Sequence, residues 1–294
     1  MKLSIIIPCF NIKDEILNKY NDLKNVLDNI KYELIFIDNG SNDETLDTLK
    51  DLYNNDMVHI KIISLLRNYS INEVYKLGIK EAIGEYICLD DGTNAKEIYD
   101  MYTYLDDNKN EDVVILTDNN YRSKLIDKLY NWGDKVTKQK IERYSKLTRM
   151  FRNKVKDSYL EYSKYYSNIK EIFILMGFKT KYLGIDNKIE QIKIKEVIND
   201  ILLIMKDTNN KGNILIKYLG ILLIGGALFY LVWLLVTQNL NGNNLIYVVN
   251  FIIDGLLLIA LNTIIKNSKL LNNIKKKELV IVKEKIGFLE ETIL

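Results

Sequence analysis

Two apolar stretches of membrane length near the carboxyl end constrain this chain more than any other feature. Tyr218–Val236 runs 19 residues without a formal charge, and Leu245–Ile265 runs 21 with one, Asp254. About 20 apolar helical residues cross a bilayer core, so each stretch can span. Thr237–Asn244 between them is uncharged and Asn-rich, as an exposed turn would be. Lys206, Lys211 and Lys217 precede the first stretch; Lys266, Lys269, Lys275, Lys276 and Lys277 follow the second. Lys and Arg collect on cytoplasmic flanks. The pattern predicts a helical hairpin in the cell (inner) membrane, multi-pass, with both termini and the N-terminal domain cytoplasmic. Two buried helices of a soluble domain would not require Lys at both outer ends and none in the turn. Asp254 is costly inside a bilayer. Asn250 and Asn262 share its helical face, which is expected to bond to the other span or to a second protomer.

This divides the chain into 1–210, long enough for one α/β domain with its own core, a hairpin over 211–266, and a basic tail over 267–294. The tail suits anionic headgroups. Net charge is only +2, because the first hundred residues are rich in Asp and Glu. No basic stripe is interleaved with stacking aromatics, which argues against nucleic acid. A single histidine, His59, nearly excludes His-built zinc sites and Ser-His-Asp hydrolysis. Cys9 and Cys88 lie in apolar strand-like runs and read as buried, reduced thiols. Met1–Phe10 enters a strand directly, which is not the pattern of a signal peptide.

Apolar runs predict strands at Leu3–Ile7, Tyr32–Ile37, Val58–Leu65 (with His59 a strand residue), Tyr86–Leu89 and Asp112–Thr117. Helical spacing covers Ile12–Ile30, Glu44–Tyr53 and Ile71–Ile83, with Ser41 or Asn42 as N-cap of the second. Such alternation implies a mainly parallel sheet with helices on both faces. Ligands of these sheets bind beyond the carboxyl ends of the strands. Pro8, Asp38 and Asp90 fall at such ends and should converge on one crevice. Tyr121–Lys170 is polar, rich in Tyr and Lys, and reads as helical. Ile192–Met205 is amphipathic and fits either a membrane-interface helix or one packed on the sheet. Leu279–Val282 adds a short strand-like segment.

Four stretches carry a family likeness. They are Ser4-Ile5-Ile6-Ile7-Pro8-Cys9-Phe10-Asn11; Phe36-Ile37-Asp38-Asn39-Gly40-Ser41-Asn42-Asp43; Arg67-Asn68-Tyr69 through Gly78, Ala82, Gly84 and Tyr86 to Leu89-Asp90-Asp91; and the two-helix end with Glu278-Leu279-Val280-Ile281-Val282. Together they resemble family 2 glycosyltransferases of the GT-A fold. More narrowly, they resemble membrane-anchored polyprenyl-phosphate glycosyltransferases, the dolichol-phosphate-mannose-synthase-like and bactoprenol glucosyltransferase group. The resemblance implies an α/β, Rossmann-like GT-A domain followed by a transmembrane hairpin. It also implies transfer of a sugar from a nucleotide-sugar to a polyprenyl phosphate for cell-envelope glycan modification, by a self-associating enzyme.

By the same resemblance, Pro8, Phe10, Asn11, Asp38, Asn39, Ser41 and Arg67 would bind the nucleotide-sugar. Asp90 and Asp91 would be the catalytic and metal-binding pair, holding Mg²⁺ or Mn²⁺ against the diphosphate. Arg149, Arg152 and Lys179 would meet the lipid phosphate. The chemistry is coherent: a diphosphate calls for a hard cation on oxygen ligands, which neutralises the leaving group. An anionic lipid phosphate has little need of a general base. Three departures stand out. Gly92 occupies the second carboxylate position of Asp-x-Asp, Ser145-Lys146-Leu147-Thr148-Arg149 lacks the carboxylate of its motif, and Lys188–Lys195 lacks the expected Gly and Ser. They leave a second expectation standing, a non-catalytic nucleotide-sugar-binding or scaffolding relative that partners an active transferase or flippase.

Overall fold

The computed structural model describes residues 1–118, 123–137, 139–166, 168–185, 194–195, 197–201, 211–238, 241–275 and 280–288. The chain forms two compact units, Met1–Val197 with Leu279–Leu294, and Ile198–Glu278. In the first, β1 (Leu3–Cys9), α1 (Lys13–Leu27), β2 (Tyr32–Asp38), α2 (Thr45–Asn55), β3 (Ile60–Leu65), α3 (Ile71–Glu81) and β4 (Tyr86–Leu89) alternate as the apolar runs require. After them come α4 (Ala95–Asp107), β5 (Val113–Asp118), α5 (Lys124–Thr137), β6 (Ser145–Arg152), α6 (Lys154–Tyr162), α7 (Ile169–Met176) and β7 (Thr180–Ile185), with β8 (Val282–Ile286) near the carboxyl end.

The eight strands form one sheet in the order β7-β5-β6-β4-β1-β2-β3-β8. Pairing is parallel across β4-β1-β2-β3 and between β5 and β7, and antiparallel wherever β6 or β8 takes part. Continuous apolar strands are buried on both faces. Leu3, Ile5 and Ile7 point into one core layer with Ile16, Leu23 and Leu49, while Ile6 points into the other with Val74 and Ile79. Both cysteines are buried free thiols.

The polar stretch Tyr121–Lys170 is not helical throughout. Ser145–Arg152 is a strand wedged antiparallel between β4 and β5. Its two arginines gave it a surface-like composition, yet both find partners inside the fold. Residues 58 and 59 precede β3: His59 stacks on Tyr32 at 4.5 Å between ring centroids and sets Nδ1 2.9 Å from Asp56. The N-terminus of α2 is served by neither Ser41 nor Asn42; Asp43 accepts the Thr45 N–H at 3.0 Å. Part of Ile192–Met205 lies outside the described residues. Residues 194–195 and 197–201 are helical, with Val197 and Ile201 buried.

β8 caps the exposed edge of β3, with Ile62 opposite Ile286 and Ser64 opposite Glu284. Ion pairs Lys50–Glu284 (2.7 Å) and Lys285–Glu81 (2.9 Å) pin it. The Ile281 N–H donates to the Tyr69 hydroxyl at 3.0 Å. An uncovered edge strand is a template for association. Truncation after residue 278 is therefore expected to lower the melting temperature and to produce aggregates, measurable by thermal melt and size exclusion in detergent.

The second unit is a pair of long helices, α8 (Lys211–Val236) and α9 (Gly242–Lys275). Two segments, Tyr218–Val236 and Gly242–Leu261, are long and apolar enough to cross a membrane, and only 17% and 11% of them is buried. Most of the apolar side chains in these segments are exposed. A Cβ on Gly220 would lie 2.6 Å from the Gly255 carbonyl oxygen, so the helix backbones touch there. Further along α8, Ala227 and Leu234 cluster with Val248. Partners thus run in opposite sequence directions, as in an antiparallel hairpin. Asn250 and Asp254 lie exposed rather than in this seam; the Asn262 side chain is outside the described residues.

Candidate functional site

The chain leaves β1 for β2 and β3 on one side, then crosses to place β4 on the other. The strand order reverses at β1 and β4, and the carboxyl ends beside such a reversal are the usual ligand position in these sheets. Pro8 stands in β1 opposite Ile37, and Cys9 opposite Asp38. Phe10 follows, exposed, and Asn11 takes a left-handed conformation (φ 53°) that Asn tolerates better than most residues. The Asn11 N–H donates to Ser41 Oγ at 3.1 Å, and the Asn42 N–H donates to Asn11 Oδ1 at 2.9 Å. The loops after β1 and β2 are thereby stapled side by side.

Asp38 is buried and accepts the Ser41 N–H on Oδ1 (3.0 Å) and the Ser64 hydroxyl on Oδ2 (2.9 Å). A carboxylate offers about four acceptor positions, so further donors can be met. Asn39 differs. Its Oδ1 accepts the Tyr69 N–H (2.9 Å), and its Nδ2 donates to the Tyr69 carbonyl (2.9 Å) and to Asn68 (3.2 Å). Through these bonds the amide holds the loop after β3. That loop presents Arg67, exposed, with its guanidinium 4.5 Å from the Tyr69 ring centre.

Asp90 is 2% exposed at the end of β4. Its N–H donates to the Ile6 carbonyl (3.0 Å), its Oδ1 accepts the Thr93 N–H (2.9 Å), and its Oδ2 sits 2.7 Å from Lys19 Nζ. Burial raises its pKa above the ordinary carboxylate value, against the pull of Lys19. Burial also raises that of Asp91, reinforced by the neighbouring charge of Asp90. The Asp91 N–H is fixed on Thr148 of β6 at 3.2 Å. Gly92 turns the chain at φ +73°, with open space where a side chain would stand.

Two carboxylates adjacent in the chain, one of them made a stronger proton acceptor by the charge of the other, are donors of the kind a hard divalent cation takes. Among the described residues no third His, Cys, Asp or Glu joins them. Mg²⁺-type sites commonly take one or two carboxylates and complete their shell with phosphate oxygens and water.

The three cations expected at a lipid phosphate do not come together. Arg149 is fully buried, forked onto Glu142 with both Nη atoms at 3.3 Å. Arg152 lies opposite Tyr86, the first residue of β4, and donates to the Glu111 carbonyl (2.9 Å), the Asn108 carbonyl (3.1 Å) and the Tyr86 hydroxyl (3.0 Å). Lys179 directly precedes Thr180, which pairs with Val113, the first residue of β5. Arg152 and Lys179 are thus at the amino edge of the parallel strands, away from Asp38 and Asp90. β6 runs backwards, so its later residues return to the wrong edge.

A cavity of about 370 Å³ does open near the carboxyl end of β5, lined by Thr117, Lys140, Ile141, Arg143 and Tyr182. Lys140 and Arg143 lie just ahead of β6, in the stretch whose composition reads as one helix. Lys19 was equally hidden in the sequence, since nothing in the pattern of α1 marks it as more than a solvated lysine.

A family model described as Glycosyl transferase family 2 matches residues 4–169. An uncharacterised glycosyltransferase of Synechocystis sp. is 36% identical over 89 residues, 30% of this chain and 28% of that protein. A dolichol-phosphate mannosyltransferase of Pyrococcus furiosus is 27% identical over 85 residues, 29% of this chain and 24% of that protein. The matches therefore span about a quarter of these curated relatives. Among solved structures, a mannosyltransferase of Pyrobaculum calidifontis in complex with GDP-Man and Mn²⁺ aligns at 13% identity and a TM-score of 0.45, covering 62% of this chain and 55% of that one. Glucosyl-3-phosphoglycerate synthase of Mycobacterium tuberculosis aligns at 11% identity and a TM-score of 0.47, covering 70% and 76%.

Proposed function

The chain belongs to glycosyltransferase family 2, and on that premise we propose that it moves a hexose from a nucleotide-sugar to a polyprenyl phosphate at the inner leaflet of the cell membrane. The lipid-linked sugar would serve cell-envelope glycan modification. One observation carries the reading: Asp38 and Asp90 stand at the carboxyl ends of β2 and β4, on either side of β1, at the point where the strand order reverses. Asp38 would accept from the base or ribose, with Ser41 and Asn11 shaping the loop and Arg67 approaching from the loop after β3. Asp90 and Asp91 would hold Mg²⁺ or Mn²⁺, which supplies charge neutralisation at the departing nucleoside diphosphate.

In the acceptor step a phosphate oxygen of the lipid bonds to the anomeric carbon. The bond from that carbon to the diphosphate breaks, and its electron pair leaves with the diphosphate. No proton needs to be removed from a phosphate that is already anionic. Lys140, beside the cavity at β5, replaces Arg149, Arg152 and Lys179 as the cation proposed to receive the lipid phosphate; Arg143 lines the same cavity but is paired with Asp134. The Lys-rich flanks of the hairpin favour a cytoplasmic catalytic unit, and the named activity of the Pyrococcus relative supports a lipid acceptor. Exposed Asn250 and Asp254 on α9 favour self-association through that face.

A second reading, a binding or scaffolding subunit, draws on Gly92 and on the engagement of Asp90 by Lys19. Radiolabelled sugar transfer into organic-extractable lipid separates the two. Membranes bearing the wild type would be given UDP- and GDP-sugars, polyprenyl phosphate and Mn²⁺. We expect transfer by the wild type and at least a 100-fold fall in Asp90→Ala, on the scale of losing a principal electrostatic group. Nucleotide-sugar binding without transfer from any donor would establish the second reading instead.

A further inference from the structure

Of the two Asp90 oxygens, Oδ1 is tied to the backbone by the Thr93 N–H, and Oδ2, among the described residues, meets a side chain, the Lys19 ammonium at 2.7 Å. Lys19 reaches this point from α1, a helix that contributes no other residue to the candidate pair. Its second partner is the Thr93 carbonyl oxygen. The Lys19 side chain is partly exposed, 21% against 2% for Asp90. Gly92 leaves the site one carboxylate short, which makes each remaining oxygen matter more to a bound cation. A hard divalent ion and an ammonium seek the same lone pairs.

We propose that Lys19 sets the cation affinity of this site by competing with the divalent ion for Asp90 Oδ2. The inference rests on the donor-site reading above. With Lys19 in place, Asp90 is neutralised before any metal arrives, and the free protein holds a divalent ion weakly. When the ion enters with a nucleoside diphosphate, the displaced ammonium stays tethered by a flexible four-carbon stem beside the new anion. Lys19 thereby couples metal entry to diphosphate entry, and its charge passes from Asp90 to the phosphate.

The test uses the full chain in nanodiscs, with Mn²⁺ binding read by electron paramagnetic resonance and UDP or GDP binding by calorimetry. Lys19→Met is expected to bind Mn²⁺ about tenfold more tightly than the wild type without nucleotide, and to lose much of the coupling between Mn²⁺ and UDP or GDP. Lys19→Arg, which keeps the charge, should stay near the wild type. Should Lys19→Met be poorly folded, recovery of its melting transition by Mn²⁺ but not by EDTA-treated buffer is the same result in another form, and failure of Mn²⁺ to recover it overturns the inference. Unchanged or weaker Mn²⁺ affinity in a folded Lys19→Met that still binds nucleotide overturns the inference and leaves the donor-site reading intact. Binding of neither Mn²⁺ nor nucleotide by any form overturns both.

Discussion

Arg149→Met is expected to cost about 3–5 kcal/mol of stability, because it strands a buried carboxylate. Arg149 has no exposed surface, and Glu142 is 3% exposed. The guanidinium meets both carboxylate oxygens, donates Nε to the Leu147 carbonyl at 3.0 Å, and lies 4.9 Å from the Phe173 ring centre. Without it, Glu142 keeps, among the described residues, the Ser145 hydroxyl at 3.0 Å. At roughly 2–4 °C per kcal/mol for a unit of this size, the melting midpoint should fall by about 10 °C. Replacing Glu142 as well, in Arg149→Met/Glu142→Leu, should recover most of the loss, since apolar residues often substitute for a buried pair at little cost. A double variant no more stable than the single one would refute the pairing argument. Weakened polyprenyl-phosphate binding with an unchanged melting curve would restore Arg149 to the acceptor site.

The same residue shows where sequence reading reached and where it stopped. β1, β2 and β4 were legible because parallel strands buried on both faces are written as unbroken apolar runs, and their carboxyl ends fixed the place of Asp38 and Asp90. β6 was not legible. An antiparallel strand carrying Lys146, Arg149 and Arg152 looks solvated until Glu142, the Glu111 carbonyl and the Tyr86 hydroxyl are brought to it from distant positions. Burial of a charge depends on a partner, and a one-dimensional pattern does not show the partner. Asn39 and Lys19 make the point from opposite sides. Asn39 sits inside a motif and serves its neighbours, while Lys19 sits in no motif and touches the central carboxylate.

Gly40→Ala should damage the donor site more than any other single methyl group. Gly40 has φ +71°, a region costly for residues with a Cβ, and that Cβ would fall 2.5 Å from the Arg67 carbonyl carbon and 2.7 Å from Arg67 Cα. The obstacle is backbone, so no rotamer change relieves it. Either the loop after β2 or the loop after β3 must move, and Asn39 couples the two through Tyr69. Conformational strain of about 1–3 kcal/mol adds to an overpacking cost of similar size. Displacement of Arg67 and Ser41 should then weaken UDP or GDP binding at least tenfold. Gly92→Ala supplies the comparison, having the same sign of φ (+73°) but nothing within 4 Å of its added Cβ. It should bear the conformational cost alone, about 1 kcal/mol, without a clash to relieve. Calorimetric titration of both variants decides the matter: equal losses of nucleotide affinity would mean that the Gly40–Arg67 contact does not shape the site, whereas a loss confined to Gly40→Ala ties the close approach of these two loops to donor binding.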